Sequence, residues 1–473
     1  MPYPARADRV RAAQLSGPPG TMLPVRRILV LLLAALGLAA AQAPAAGAAP
    51  GMEVALQDDA ILVSQSYFDR ARAFDLMRPL MVSRVRMNAI WHALNGAEGK
   101  RRSRPSRPAY NFSPLDQAID IALSQGLKIE VSITGPAPAW ANGKRKKGNP
   151  FRPNARLYGQ FVRTVAKRYA GKVDAYSIWN EPNHVGWLTP LREQAKIYRK
   201  LYEQGFKAIR ATDPDAKVLI GETAPYASKK GNATPPLRFL REVACVDRSY
   251  RPVGRCRPLQ ADGYAHHPYD FKRKPTQPFP GADNVTIASL NRLVVALNRL
   301  ARGNALEDRR GKALDIWLTE YGYFARRETG REKVFPESLR ARYLKQAFEI
   351  AQRNPRVVSM LQYLLVEYPK GMFRFNTAIV EDDGTPMRTY RSLASWAKRA
   401  RARGQIAAPG PITAPVPGGG EAGGKPGGGG AGGKPGGGGA GGEPGGGGAG
   451  GGASQPTPPP APSCVLPPPL SCP

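Results

Sequence analysis

Between residues 52 and 403 the chain alternates short runs of apolar and β-branched residues with longer stretches whose apolar positions recur at helical spacing. The runs EVALQ (53–57), SRVRMNAIW (83–91), LKIEVSIT (127–134), VDAYSIWN (173–180), KVLIGET (217–223), DGYAHH (262–267), LDIWLTE (314–320) and VVSMLQYLLV (357–366) read as strands. Amphipathic segments between them, such as 115–126, 157–171 and 192–211, read as helices, and a last one at 390–402 follows the eighth strand. Strand and helix therefore alternate through eight units, which predicts a (β/α)8 TIM barrel. A doubly wound open sheet shares the alternation, but EVALQDDAILV lacks GxGxxG and no phosphate loop is present, which ranks it second.

The connections are unequal. Those leading from strand to helix are long and rich in Gly, Pro and Arg at 92–113, 135–155, 268–285 and 368–388, whereas most returns are short. In a barrel of this kind the strand-to-helix loops build the functional face, so the extra length sits where a substrate cleft would form.

Both ends depart from this pattern. GGKPGGGGA occurs at 423 and 432 and GGEPGGGGA at 441, a repeat that cannot bury a core, so 404–473 is expected to be a disordered Gly/Pro-rich tether. At the other end Arg26 and Arg27 precede ILVLLLAALGLAAA (28–41), and AGA (46–48) offers small residues for cleavage, so 1–48 reads as a signal peptide with an upstream extension before Met22. The apolar run has 14 residues, short of the roughly 20 that span a bilayer. The expectation is a secreted, extracellular or cell-wall-associated protein with no stable membrane insertion after cleavage.

Charge and cysteines sharpen that expectation. Lys and Arg number 69 against 36 Asp and Glu, and KRRSRPSR (100–107) and KRKK (144–147) concentrate the excess. For an exported chain, basic runs in separate loops point to anionic cell-envelope polymers or an acidic polysaccharide rather than nucleic acid; solvated surface loops are the bland alternative. Four cysteines in such a chain favour disulfides, and of three possible pairings the local ones, Cys245 with Cys256 and Cys464 with Cys472, are the simplest. The four histidines are scattered apart from one adjacent pair, with no HExxH or Cys/His cluster, so neither a metal nor another cofactor is expected. The chain is expected to be a monomer.

The candidate chemistry lies at two strand ends. The fourth strand stops at Asn180 and Glu181, and the seventh at Glu320. Parallel barrel strands deliver their C-terminal ends to one face, so the two carboxylates can meet across the mouth. Cleavage of a glycosidic bond needs such a pair: one carboxyl group protonates the leaving oxygen, and the other attacks the anomeric carbon or activates water.

WNEPN (179–183) and WLTEYG (317–322) resemble the acid/base and nucleophile motifs of glycoside hydrolase clan A, nearest to the family five (cellulase-like) and family thirty-nine types. The resemblance implies a retaining glycosidase on a (β/α)8 barrel acting on a carbohydrate substrate, with Glu181 as acid/base, Glu320 as nucleophile and Asn180 hydrogen-bonding the sugar's 2-hydroxyl. VRMNAIW is similar to the strand-two motif, so Arg86 would hold the nucleophile ionised. HPY (267–269) is similar to the strand-six motif, which puts His267 and Tyr269 on the same face, with Tyr269 donating to Glu320. One departure stands out: these families carry a tryptophan on strand eight as a subsite floor, whereas this strand reads SMLQYLLVEYP. Tyr363 would stand in for it, and Trp140 or Trp187 would offer further platforms for sugar stacking.

Each of these residues has a plainer reading. Glu181 could open a loop, Arg86 could pair with another buried acid, His267 could be a structural hydrogen-bonding histidine, and most tryptophans are core. The alternative function from another class is a catalytically silent carbohydrate-binding or wall-associated protein on a glycosidase-like barrel.

Overall fold

A computed structural model of the chain describes residues 51–143, 152–227, 231–330, 332–372 and 375–416. The leader (1–48), the KRKK run, Cys464, Cys472 and the glycine-rich repeats lie outside the described residues.

Eight strands form a closed, all-parallel ring in chain order: β1 Glu53–Gln57, β2 Arg84–Ile90, β3 Lys128–Thr134, β4 Ala175–Ile178, β5 Lys217–Thr223, β6 Gly263–His266, β7 Ile316–Leu318 and β8 Val357–Tyr363. β1 closes the ring by pairing with β8 from Glu53–Ser359 to Gln57–Tyr363. One principal helix follows each strand: α1 Arg70–Met77, α2 Ser113–Ser124, α3 Ala155–Tyr169, α4 Gln194–Arg210, α5 Pro236–Val243, α6 Leu290–Arg302, α7 Glu337–Arg353 and α8 Arg388–Ala402. Side-chain caps start some of them: Asp69 accepts from Arg72 N at 2.7 Å and Asn154 from Leu157 N at 3.1 Å.

Two-residue alternation divides each strand between two environments. Val85, Met87 and Ala89 of β2 and Ile129, Val131 and Ile133 of β3 join the main hydrophobic core under the helices. The intervening residues Arg84, Arg86, Glu130 and Ser132 are also buried, inside the ring. Such an interior is usually packed with branched aliphatic side chains; here much of it is polar. At its floor Arg84 donates to Glu53 at 2.6 Å and stacks over Trp317, 5.0 Å from the ring centre. Trp317 caps a small apolar layer with Ala175, Leu219 and Ala265. The polar ladder above that layer leads to the mouth.

The packed chain does not stop at 403, where the composition suggests that it should. Ile406 is buried and bridges Met52, Gly410 N donates to Gly126 O at 2.7 Å, and Thr413 N donates to Ser124 O at 2.7 Å. Met52 precedes β1 and residues 124–126 precede β3, so this strap crosses the N-terminal end of the barrel, opposite the mouth. A run rich in Ala, Pro and Gly hides one anchoring isoleucine, which a composition argument cannot detect.

Cys245 and Cys256 are bridged just after α5, with Cα atoms 6.2 Å apart. Among the described residues no helix is long and apolar enough to cross a membrane.

Candidate active site

The candidate residues converge where the strands end. Asn180 and Glu181 follow β4, His267 directly follows β6, Glu320 lies two residues beyond β7, and Tyr363 is the last residue of β8. Arg86, in the middle of β2, reaches them from inside the ring. Trp179 and Glu181 have left-handed φ angles of 67° and 36°, a conformation costing about 1–3 kcal/mol that persists only where its surroundings enforce it. Asn183 supplies part of that enforcement. Its Oδ1 accepts from Ala224 N at 2.8 Å and its Nδ2 donates to Thr234 O at 2.9 Å, which pins the loop carrying Glu181 to the end of β5.

Arg86 is fully buried and organises the site. Its Nη1 donates to Glu320 Oε1 at 3.1 Å and to Gln57; its Nη2 donates to Asn180 Oδ1 at 2.9 Å and to Glu222. Its Nε lies 3.6 Å from Glu130 Oε1. A buried guanidinium is tolerable only when paired this densely, and the accepting role of Asn180 Oδ1 fixes which end of that amide is the donor. Tyr269 OH donates to Glu320 Oε2 at 3.2 Å.

His267 stands between three carboxylates. Its Nδ1 is 3.2 Å from Glu181 Oε1 and 3.6 Å from Glu320 Oε2, while its Nε2 is 3.1 Å from Glu222 Oε2. Sharing one nitrogen limits the separation of those Glu181 and Glu320 oxygens to about 6.8 Å at most, the sum of the two distances. The adjacent His266 points into the barrel wall, with Nε2 3.1 Å from Val285 O and Nδ1 2.9 Å from Thr223 Oγ1.

Sequence reasoning missed Glu222. Leu219 faces the interior, so strict alternation would put Gly221 and Thr223 inside and Glu222 outside. The register against β6 shifts between Gly221 and Thr223, reversing that order. Gly221 makes the shift possible: its φ is +118°, and a Cβ there would sit 2.4 Å from Ala265 O. Glu222 itself takes φ 51° and turns inward.

The charges follow from burial and these contacts. Burial alone would raise the Glu222 carboxyl, but Arg86 and then His267 outweigh it and hold it down to about 2. Burial, reinforced by the Glu222 charge, pushes Glu130 up to about 8, so it stays protonated at neutral pH. For His267 burial opposes the charged form, yet Glu320, Glu181 and Glu222 together push it up to about 10. Glu320 is raised by burial, against the opposing pull of His267 and Arg86. Two buried cations, Arg86 and His267, thus face ionised Glu222 and the Glu181–Glu320 pair. The cluster is neutral when that pair carries one negative charge.

The aromatic candidates divide. Tyr363 is half-buried beside Phe375, with ring centres 5.7 Å apart, and its hydroxyl is raised by burial and then by the charge of Glu320. Trp140 is only 9% exposed; it packs edge-on against buried Trp91 at 5.8 Å, and its Nε1 donates to Asn95 Oδ1 at 3.0 Å. It is part of an aromatic cluster and leaves little ring surface open. Trp187 is half-buried in the loop after Glu181, its carbonyl accepting from Trp179 Nε1 at 3.3 Å.

Residues 49–253 match the family model for cellulase, glycosyl hydrolase family 5. Among solved structures, the fold resembles that of a family 39 glycoside hydrolase from the gut symbiont Bacteroides cellulosilyticus WH2, with a TM-score of 0.51 and 18% identity, covering 74% of this chain and 64% of that one. The present chain thus spans less than two thirds of that enzyme. A GH5_18 protein from Streptomyces cattleya, solved with GlcNAc, aligns with a TM-score of 0.48 at 15% identity, over 77% of this chain and 83% of the other. The chain thus forms a closed parallel (β/α)8 barrel whose residues 49–253 are similar to the family 5 cellulases.

Proposed function

We propose that the chain is a secreted retaining glycosidase that cleaves an oligo- or polysaccharide by double displacement. Glu181 protonates the leaving oxygen while Glu320 attacks the anomeric carbon, forming a glycosyl ester. Glu181, now ionised, takes a proton from water, whose oxygen attacks the same carbon and releases Glu320. Arg86 and Tyr269 steady the Glu320 charge, and Asn180 presents its amide to the 2-hydroxyl, where a contact that tightens in the transition state lowers the barrier.

The observation that carries this reading is His267 Nδ1 lying within 3.6 Å of both glutamates. Their bounded separation suits a nucleophile at about 5–5.5 Å better than a water-activating base at about 6.5–9.5 Å. Proton NMR of the first-formed sugar, on a panel of polysaccharides and aryl glycosides, tests it: the anomer released should keep the substrate's configuration, and inversion would overturn the double displacement.

Tyr363 in place of a strand-eight tryptophan favours a second reading, a catalytically silent carbohydrate-binding protein. Binding on a glycan array without turnover of any aryl glycoside would select it. In either case the basic strand-to-helix loops fit an anionic cell-envelope polymer better than nucleic acid. The tether would leave from the face opposite the cleft, so an envelope-attached monomer would present its mouth outward. Fractionation of the native host should find the protein outside the membrane, either released or wall-bound.

A further inference from the structure

Glu222 is the one carboxylate of the cluster that the proposed cycle leaves without a task. Its side chain is 0% exposed, against 14% for Glu320, so it does not meet the sugar. It nevertheless touches both cations, accepting from Arg86 Nη2 and lying 3.1 Å from His267 Nε2. We infer that Glu222 is a positioning residue for the reaction: it secures a proton on His267 Nε2 and fixes the ring as a doubly protonated cation whose Nδ1–H serves Glu320 and Glu181 in turn. This role rests on the double-displacement reading.

The geometry gives the cation a purpose. The double-displacement cycle starts with the negative charge of the pair on Glu320, the attacking group, where Arg86, Tyr269 and His267 meet it. Once the glycosyl ester forms, Glu320 is neutral and the charge has moved to Glu181, which has given its proton to the leaving oxygen. His267 Nδ1, 3.6 Å from one and 3.2 Å from the other, stabilises both states without moving. A neutral imidazole lacking the Nδ1 proton could do neither, and Glu222 on the far side of the ring prevents that loss.

The groups facing His267 are Glu181 beyond β4, Glu222 on β5, His266 and Tyr269 beside it in sequence, and Glu320 beyond β7. Arg86 from β2 acts on Glu222, whose charge in turn helps to keep Glu130 of β3 protonated. The three glutamates outweigh burial and raise the ring to about 10. Removing the Glu222 charge weakens that hold, so the sign is a loss of the imidazolium at lower pH.

The test is 15N imidazole NMR on the full chain, with His267 assigned by a His267→Asn comparison, alongside the pH profile of kcat/KM. The wild type should show both His267 nitrogens protonated at pH 8. Glu222→Gln should lose one of those protons below pH 8, move the basic limb of the profile down by about one unit or more, and lower kcat/KM on the order of 10- to 100-fold. Glu222→Asp should recover part of both. If Glu222→Gln does not fold, the wild-type spectrum and Glu222→Asp still decide. A neutral His267 at pH 8 in an active wild type overturns the role of Glu222 alone, as does an unmoved profile in Glu222→Gln. No hydrolysis by the wild type on any substrate would sink the glycosidase reading and this role with it.

Discussion

Replacing Arg86 by methionine, which keeps length but no charge, removes the shared partner of Glu222, Glu320 and Asn180. Breaking a buried ion pair by deleting one member costs about 3–5 kcal/mol, because the remaining charge stays buried. The unfolding entropy of roughly 350 ordered residues is about 0.7 kcal/mol per degree, so the loss corresponds to a fall in Tm of about 4–7 °C. The penalty should depend on pH in a definite sense. In the wild type the Glu222 carboxyl is held down to about 2 from its ordinary 4.5, so its contribution is present above 4.5 and lost as pH falls through 2. Without Arg86 the largest pull holding that value down is gone while burial still pushes it up, so this stabilisation is lost above 4.5, and less of it is there to lose as pH falls toward 2. The stability difference should therefore be large at pH 7 and clearly smaller at pH 4, measured by calorimetry or urea unfolding of both proteins at each pH. A Tm loss under about 1 °C, or one equal at both pH values, would refute the view that Arg86 is the electrostatic centre of the site.

Other consequences concern separate parts of the molecule. Glu181→Ala should slow hydrolysis of substrates with poor leaving groups by roughly 100-fold or more, spare those with activated aryl groups, and recover with added azide as a glycosyl azide of unchanged configuration, read by NMR. Ile406→Ala should cost about 2–5 kcal/mol in urea unfolding, and truncation after Arg403 at least as much, whereas truncation after Val416 should leave stability unchanged. Trp140→Ala should lower stability by about 3–5 kcal/mol and leave KM for small substrates within roughly twofold of the wild type, because its ring is largely buried against Trp91.

The barrel was legible because strand alternation and helical spacing report burial directly, and eight repeats of one unit leave few closed arrangements. The position of Glu181 and Glu320 at the mouth was legible for the same reason: each breaks a buried run at a strand's C-terminal end. Glu222 was not, since a register shift of one position reverses the inside and outside of β5, and in sequence that shift is marked only by Gly221. The burial of Trp140 was not legible, because an aromatic open to a cleft and one packed under a loop share the same local sequence. The strap was hidden because a single buried side chain, Ile406, does not change the composition of a Pro/Gly-rich run.

The central claim is that Glu320 is the nucleophile of a covalent cycle, and mass spectrometry after exposure to 2-deoxy-2-fluoro glycosides with activated leaving groups tests it most directly. One sugar of the panel should add its glycosyl mass once per chain, on the peptide containing Glu320, and Glu320→Gln should remove the adduct while leaving the fold intact. An adduct on another carboxylate, or turnover of the parent substrates with no adduct across the whole panel, would contradict it.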